Sequence, residues 1–277
     1  RRKPPANPNE THEVTFGELW DASGVVSYHL KNTWKIPKGQ RVILAYGYGP
    51  SGVAALLGCW RAGVVAIPVE APTPRDTPSL MRLNQVAKEC HPIALVLTDQ
   101  ITFRLRNSEL SNPFGAHRKL WLSSLEWRTT EALKRNPTLQ FLPTAQQRPQ
   151  YTHDEPNLSS QDLAMIQYTA GSTGDPKPVL ITFASIQACL DLTERFFELA
   201  FTSTDGTPRI AKVSGLSPLS WTEGWGLVHA TLLPMMKGWV MYYMSPQEFA
   251  RRPLAWLERF SQHKITWGLA EDPDYIR

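Results

Sequence analysis

Three consecutive stretches constrain this chain most: an apolar run from Arg41 to Tyr46, an apolar helical stretch from Ser51 to Ala62, and a second run from Val64 to Val69. Two short apolar strands joined by a helix imply parallel pairing, with a right-handed crossover between them. The absence of polar alternation implies strands covered on both faces. The pattern then repeats, with Leu80 to Cys90 reading as an amphipathic helix and Ile93 to Thr98 as a strand. The expected fold is α/β, with mostly parallel sheets flanked by helices.

The remaining segments extend that frame. Residues 1–13 are polar and proline-rich and read as an arm or linker. Val14 to Trp20 opens a helix whose apolar spacing continues through Val25, Val26 and Leu30. Residues 103–150 are more polar and less regular, and the loop from Pro143 to Pro156 suggests a boundary. The expected organisation is a first α/β lobe over 14–150 and a second over 151–277. In the second, Ser185 to Phe197 reads as a helix, Ile210 to Leu219 carries a strand, and Gly224 to Met236 is a single apolar helix. Trp239 to Met244 is the next strand. Ser245-Pro246 then opens an amphipathic helix with Trp256 and Leu257 facing inward, and Ile265 to Gly268 is a last strand.

Composition excludes several classes of partner. The 277 residues are 42% hydrophobic and 19% charged, enough for a large core or two lobes. The net charge of +4 comes from basic residues scattered without a long run, so no nucleic-acid partner is expected. Cys59, Cys90 and Cys189 lie far apart and match no metal-ligand spacing, which suits reduced thiols; no metal site is expected. The first residues, Arg-Arg-Lys-Pro-Pro, precede no apolar segment of a signal peptide. No apolar run approaches the ~20 residues of a membrane span. A cytoplasmic protein is the expectation.

Two glycine-bearing stretches carry chemistry. Gly47-Tyr48-Gly49-Pro50-Ser51-Gly52 fits the spacing of a dinucleotide-binding turn, with Glu70 at the end of the next strand as the ribose partner. This opens the alternative of a dinucleotide-dependent enzyme. The second stretch runs from Gln167 to Ile181, behind the apolar lead-in Leu163-Ala164-Met165-Ile166. Gly171 and Gly174 bracket Ser172 and Thr173, and Lys177 follows. Glycines let backbone N–H groups converge on an anion, hydroxyls add donors, and a lysine adds a compact positive charge suited to phosphate. The Walker pattern is matched nowhere in the chain.

Tyr168 to Lys177 resembles the phosphate-loop signature of the adenylate-forming superfamily, Tyr-Thr-Ser-Gly-Ser-Thr-Gly-x-Pro-Lys-Gly. Leu57-Gly58-Cys59-Trp60-Arg61-Ala62-Gly63-Val64-Val65-Ala66-Ile67-Pro68 is similar to a stretch of fatty acyl-AMP ligases, and so is Ser245 to Leu257. The resemblance covers about residues 14–277 and favours fatty acyl-AMP ligases and their disco-interacting-type relatives. It implies that a carboxylate attacks the α-phosphate of ATP, with Mg²⁺, giving an acyl adenylate and pyrophosphate. The acyl group then passes to a carrier-protein phosphopantetheine or another acceptor. By the same resemblance Thr169, Gly171, Ser172, Thr173 and Gly174 hold the phosphates, and Lys177 has the catalytic role.

The departures define a further alternative, a degenerate ligase-like module that binds acyl chains or partners without catalysis. Ala170 replaces a serine of the pattern, and Pro178 a glycine. Where the family reads Leu-Pro-Leu-Tyr-His-Asp-Met-Gly-Leu, this chain has Pro218-Leu219-Ser220-Trp221-Thr222-Glu223-Gly224-Trp225-Gly226-Leu227. The His-Asp pair is gone. Glu223 is then the candidate carboxylate, and Trp221 and Trp225 either line an acyl pocket or pack as core. The family's downstream adenine, ribose and hinge motifs have no counterpart, so these 277 residues alone are not expected to complete adenylation.

Overall fold

The computed structural model describes residues 13–72, 76–90, 95–112, 118–121, 125–130, 143–151, 156–169, 177–202, 206–207 and 212–270. Helix α1 (Phe16–Tyr28) starts at a reciprocal cap: Thr15 Oγ1 accepts the Glu18 N–H at 3.1 Å, and Glu18 Oε2 accepts the Thr15 N–H at 2.8 Å. It runs on into a π-turn, His29–Thr33. Then follow β1 (Arg41–Tyr46), α2 (Pro50–Ala62), β2 (Val65–Glu70), α3 (Thr77–Glu89), β3 (Leu95–Thr98), α4 (Gln100–Ser111), β4 (Glu126–Thr129) and α5 (Arg148–Tyr151). Strands β5 (Leu163–Tyr168) and β6 (Pro178–Thr182) form a hairpin, and Thr182 caps α6 (Phe183–Phe201). The chain continues as β7 (Ser214–Ser217), α7 (Gly224–Leu227), α8 (Leu233–Lys237), β8 (Val240–Tyr243), α9 (Pro246–Arg251), α10 (Pro253–His263) and β9 (Trp267–Gly268).

Six strands form one sheet in the order β4-β3-β1-β2-β5-β6, parallel except for β6. Helices α1 and α2 cover one face, where Val42 and Leu44 meet Val26, Leu56 and Cys59. On the other face Ile43, Ala45 and Ile67 meet Leu80, Leu83 and Val86 of α3. Both faces of β1 are therefore buried, which is why its sequence is uninterrupted apolar. Between β2 and β5 the ladder is a single pair, Ala66↔Met165. Two residues further on Pro68 has no N–H to extend it, so the sheet parts toward the C-terminal ends of these strands. The second sheet is parallel throughout, in the order β8-β7-β9.

Several boundaries differ from expectation. The expected division at 150 cuts the first sheet: β5 and β6 pair onto it, and the change of sheet falls between 182 and 214. Among the described residues of 103–150, α4, capped by Asp99, and β4, an added edge strand, bring more regularity than the polarity suggests. The expected single helix over 224–236 is three pieces, with a π-turn, Val228–Leu232, between α7 and α8. Pro253 starts a new helix, and on it Trp256 is 7% exposed but Leu257 is 56% exposed, so only the tryptophan faces inward.

Candidate functional site

The C-terminal ends of parallel strands are where open α/β sheets bind ligands, and here two such edges meet. At the exit of β1 the Gly47 N–H donates to Asp99 Oδ2 at 3.0 Å, while Oδ1 of the same carboxylate accepts the Thr102 N–H at 2.7 Å. Asp99 thus caps α4 and fixes the turn after β1 together. The next residue, Tyr48, donates its hydroxyl to the carbonyl of Ser217 at 3.3 Å, joining the exit of β1 to the last residue of β7. Burial raises the Tyr48 phenol far above its ordinary range, so it stays a neutral donor.

The second meeting point is the exit of β5. Gln167 Nε2 donates to the carbonyl of Thr222 at 2.8 Å, so the segment 218–223 lies beside the strand that leads into the candidate phosphate loop. Tyr168, on the opposite face, has its hydroxyl 2.9 Å from Cys90 Sγ. Its phenol is raised far above its ordinary range, first by burial and then by that contact. Thr169 closes the base of the hairpin: its N–H donates to the Lys177 carbonyl at 3.0 Å, and its Oγ1 accepts the Lys177 N–H at 3.3 Å. Three consecutive residues are each pinned to a different partner.

Of the expected phosphate-binding residues, Thr169 and Lys177 sit together at this base, both exposed. Gly171, Ser172, Thr173 and Gly174 lie outside the described residues, as does Ala170. Lys177 makes no ion pair among the described residues, so its cation is available to an anion arriving from solvent. Pro178 opens β6, the edge strand of its sheet. Since Thr169 and Lys177 exchange hydrogen bonds, alternation makes Tyr168↔Pro178 the non-hydrogen-bonded pair, and the missing N–H faces away from β5. The proline therefore costs the ladder nothing.

The expected acyl-pocket residues divide. Trp221 is 4% exposed and packs on α2: a Cβ added to Gly52 would stand 2.2 Å from its Cζ2. Trp225 is 64% exposed and stacks on His229, with ring centroids 4.4 Å apart. His229 Nε2 lies 3.3 Å from Thr193 Oγ1, and burial lowers its pKa. Glu223 is exposed at the start of α7. The dinucleotide alternative is corrected here. The close approach that Gly52 permits at the start of α2 is taken by the Trp221 indole, and the Gly47 N–H is taken by Asp99. Two of the features by which such a turn would hold a pyrophosphate are thus already engaged. Sequence reasoning missed Tyr48, Asp99 and Gln167. Of these only Asp99 carried a local signal, an N-cap residue directly after a strand.

Among the described residues no three His, Cys, Asp or Glu side chains gather as metal ligands, and no helix is long and apolar enough to cross a membrane. All three cysteines are free.

The class defined by this fold is an α/β protein whose two largely parallel sheets abut at their C-terminal edges. The description "AMP-binding enzyme" fits residues 2–270, and the chain belongs to that family. It is 28% identical over 263 residues to the medium-chain-fatty-acid–[acyl-carrier-protein] ligase JamA of Moorena producens (strain JHB), covering 93% of this chain and 38% of the relative. It is 24% identical over 268 residues to the long-chain-fatty-acid–AMP ligase FadD26 of Mycobacterium marinum, covering 95% of this chain and 41% of the relative. A fatty acyl-adenylate ligase from L. pneumophila, solved with acyl adenylate and pyrophosphate, superposes with a TM-score of 0.74 at 21% identity, over 95% of this chain and 40% of that one. That likeness establishes the fold. The chain spans about two fifths of the length of these relatives.

Proposed function

We propose that this chain is the nucleotide-phosphate portion of a fatty acyl-AMP ligase, whose whole protein condenses a fatty acid with ATP to acyl-AMP and pyrophosphate. The observation that carries the reading is the hairpin base. Thr169 holds Lys177 at the loop end of β5 and β6, beside segment 218–223. In the reaction a carboxylate oxygen forms a bond to the α-phosphorus, and the bond from that phosphorus to the bridging oxygen breaks. Both reactants are anionic, so positioning and charge neutralisation do most of the work. The Lys177 ammonium neutralises the departing phosphates. Thr169, Ser172, Thr173 and the amides of Gly171 and Gly174 hold them. Mg²⁺, arriving with the nucleotide, adds further neutralisation.

Trp225 and Glu223, beside the same hairpin, are the acyl-side residues of this reading; Trp221 backs them from the core. The acceptor is a carrier-protein phosphopantetheine, in keeping with the name that JamA bears. Three unpaired thiols suit a reducing cytoplasm. Calorimetry with magnesium-ATP on this chain and on Lys177→Ala tests the assignment. The expected result is binding that the substitution weakens by about tenfold or more, the ~1.4 kcal/mol of a lost charge contact. Equal affinity in the two proteins would remove Lys177 from phosphate binding. Should neither protein bind ATP, the same measurement on the full-length parent decides, and failure there would remove the nucleotide role altogether.

A further inference from the structure

The Gln167 side chain reaches from the phosphate-loop strand to the segment carrying Trp221 and Glu223. We propose that it is a positioning residue coupling nucleotide occupancy at the β5–β6 hairpin to the conformation of segment 218–224. Gln167 and Thr169 alternate onto the same face of β5. Thr169 holds Lys177 through two hydrogen bonds, and Gln167 holds the Thr222 carbonyl at 2.8 Å. Segment 218–223 is closed on itself: the Thr222 N–H donates to Ser220 Oγ at 3.3 Å, and the Glu223 N–H donates to the Ser220 carbonyl at 3.1 Å. Movement of Thr222 therefore carries Glu223 with it. The packing at Gly224 also supports a strut, since a Cβ there would lie 3.5 Å from Gln167 Oε1. A lysine drawn onto a phosphate pulls on Thr169, and the strand passes that displacement to Gln167 and Thr222. By linkage, a ligand that orders 218–224 strengthens nucleotide binding by the same factor.

This inference rests on nucleotide binding at the hairpin, and its test separates the two. Amide hydrogen exchange of 219–224 is followed in the 277-residue chain with and without magnesium-ATP, with calorimetry in parallel. The comparison is Gln167→Met, which keeps the length and loses the donor. In wild type, ATP slows exchange at 219–224 by about fivefold or more, the low end of ordinary coupling between two sites. In Gln167→Met, ATP leaves that exchange unchanged. ATP that binds wild type without altering 219–224, or that alters it equally in Gln167→Met, overturns the coupling and leaves the nucleotide role standing. Should the 277-residue chain bind no ATP, the same comparison on the full-length parent decides, and a parent that binds none overturns both. Should Gln167→Met fail to fold by circular dichroism, Gln167→Asn, whose shortened amide falls short of Thr222, takes its place.

Discussion

Gly52 is a residue at which two physical effects oppose each other, and their magnitudes decide the sign of a substitution. It lies in the first turn of α2, where alanine gains about 0.5–1 kcal/mol over glycine from backbone entropy. Against this, the new methyl would meet the Trp221 ring at 2.2 Å, and that ring is buried. Overpacking of this kind costs about 1–3 kcal/mol. We therefore expect Gly52→Ala to destabilise the chain by about 1–2 kcal/mol in urea unfolding, the reverse of what propensity alone dictates. In the background of Trp221→Leu the clash is gone and the same change becomes neutral or stabilising. Additive effects of the two substitutions would mean that the tryptophan does not occupy the space above α2. A fingerprint that reads as a dinucleotide turn is thus a packing contact, which only the position of a residue about 170 places away reveals.

At the scale of elements, what could be read from the sequence follows burial. Strands β1 and β2 are apolar because both faces are covered, and Arg41 to Tyr46 was legible to the residue. The start of α6 was legible to within two residues, but its cap at Thr182 was not, because the cap is also the last residue of β6. Strand β4 was missed: it is four residues long, with Glu126 and Arg128 outward, and polar flanks hide its one buried tryptophan. The hairpin base was visible as a composition of glycine, hydroxyl and lysine. Its strut was not, since a glutamine hydrogen-bonding a carbonyl 55 positions away leaves no local signature. Pro178 was the departure that most threatened the hairpin, and its placement removes the threat. Replacing it by the glycine of the family pattern releases the unfolded chain without gaining a ladder hydrogen bond. Pro178→Gly is therefore expected to lower stability by about 0.4–1 kcal/mol and to leave the β5–β6 pairing intact. A gain in urea midpoint would show that the proline is strained.

At the scale of the whole molecule, the two sheets are joined near their C-terminal edges by Tyr48 to Ser217 and Gln167 to Thr222, and their helices carry half-buried histidines. His29, in the π-turn after α1, lies against Trp34 and Tyr151; His229, between α7 and α8, stacks on Trp225. Burial lowers the pKa of each below the ordinary 6.5. The sign follows from proton counting. As pH falls through 6.5 the unfolded chain takes up a proton at each histidine, while the folded chain, with its lowered values, does not. Stability is therefore full above that pH and declines below it, until the folded groups also titrate. Both rings are only partly buried, so solvent moderates the loss at each. Asp162 acts in a separate window. Its pKa is lowered, first by the Ser159 N–H and then by Lys38, so its contribution is lost only below the ordinary carboxylate range. Urea midpoints measured from about pH 8 to about pH 5.5 should thus fall on the acid side in the wild type, and fall less in the double variant His29→Gln/His229→Gln. A midpoint that rises on acidification, or a decline that the double variant keeps in full, would place the proton-linked groups elsewhere in the molecule.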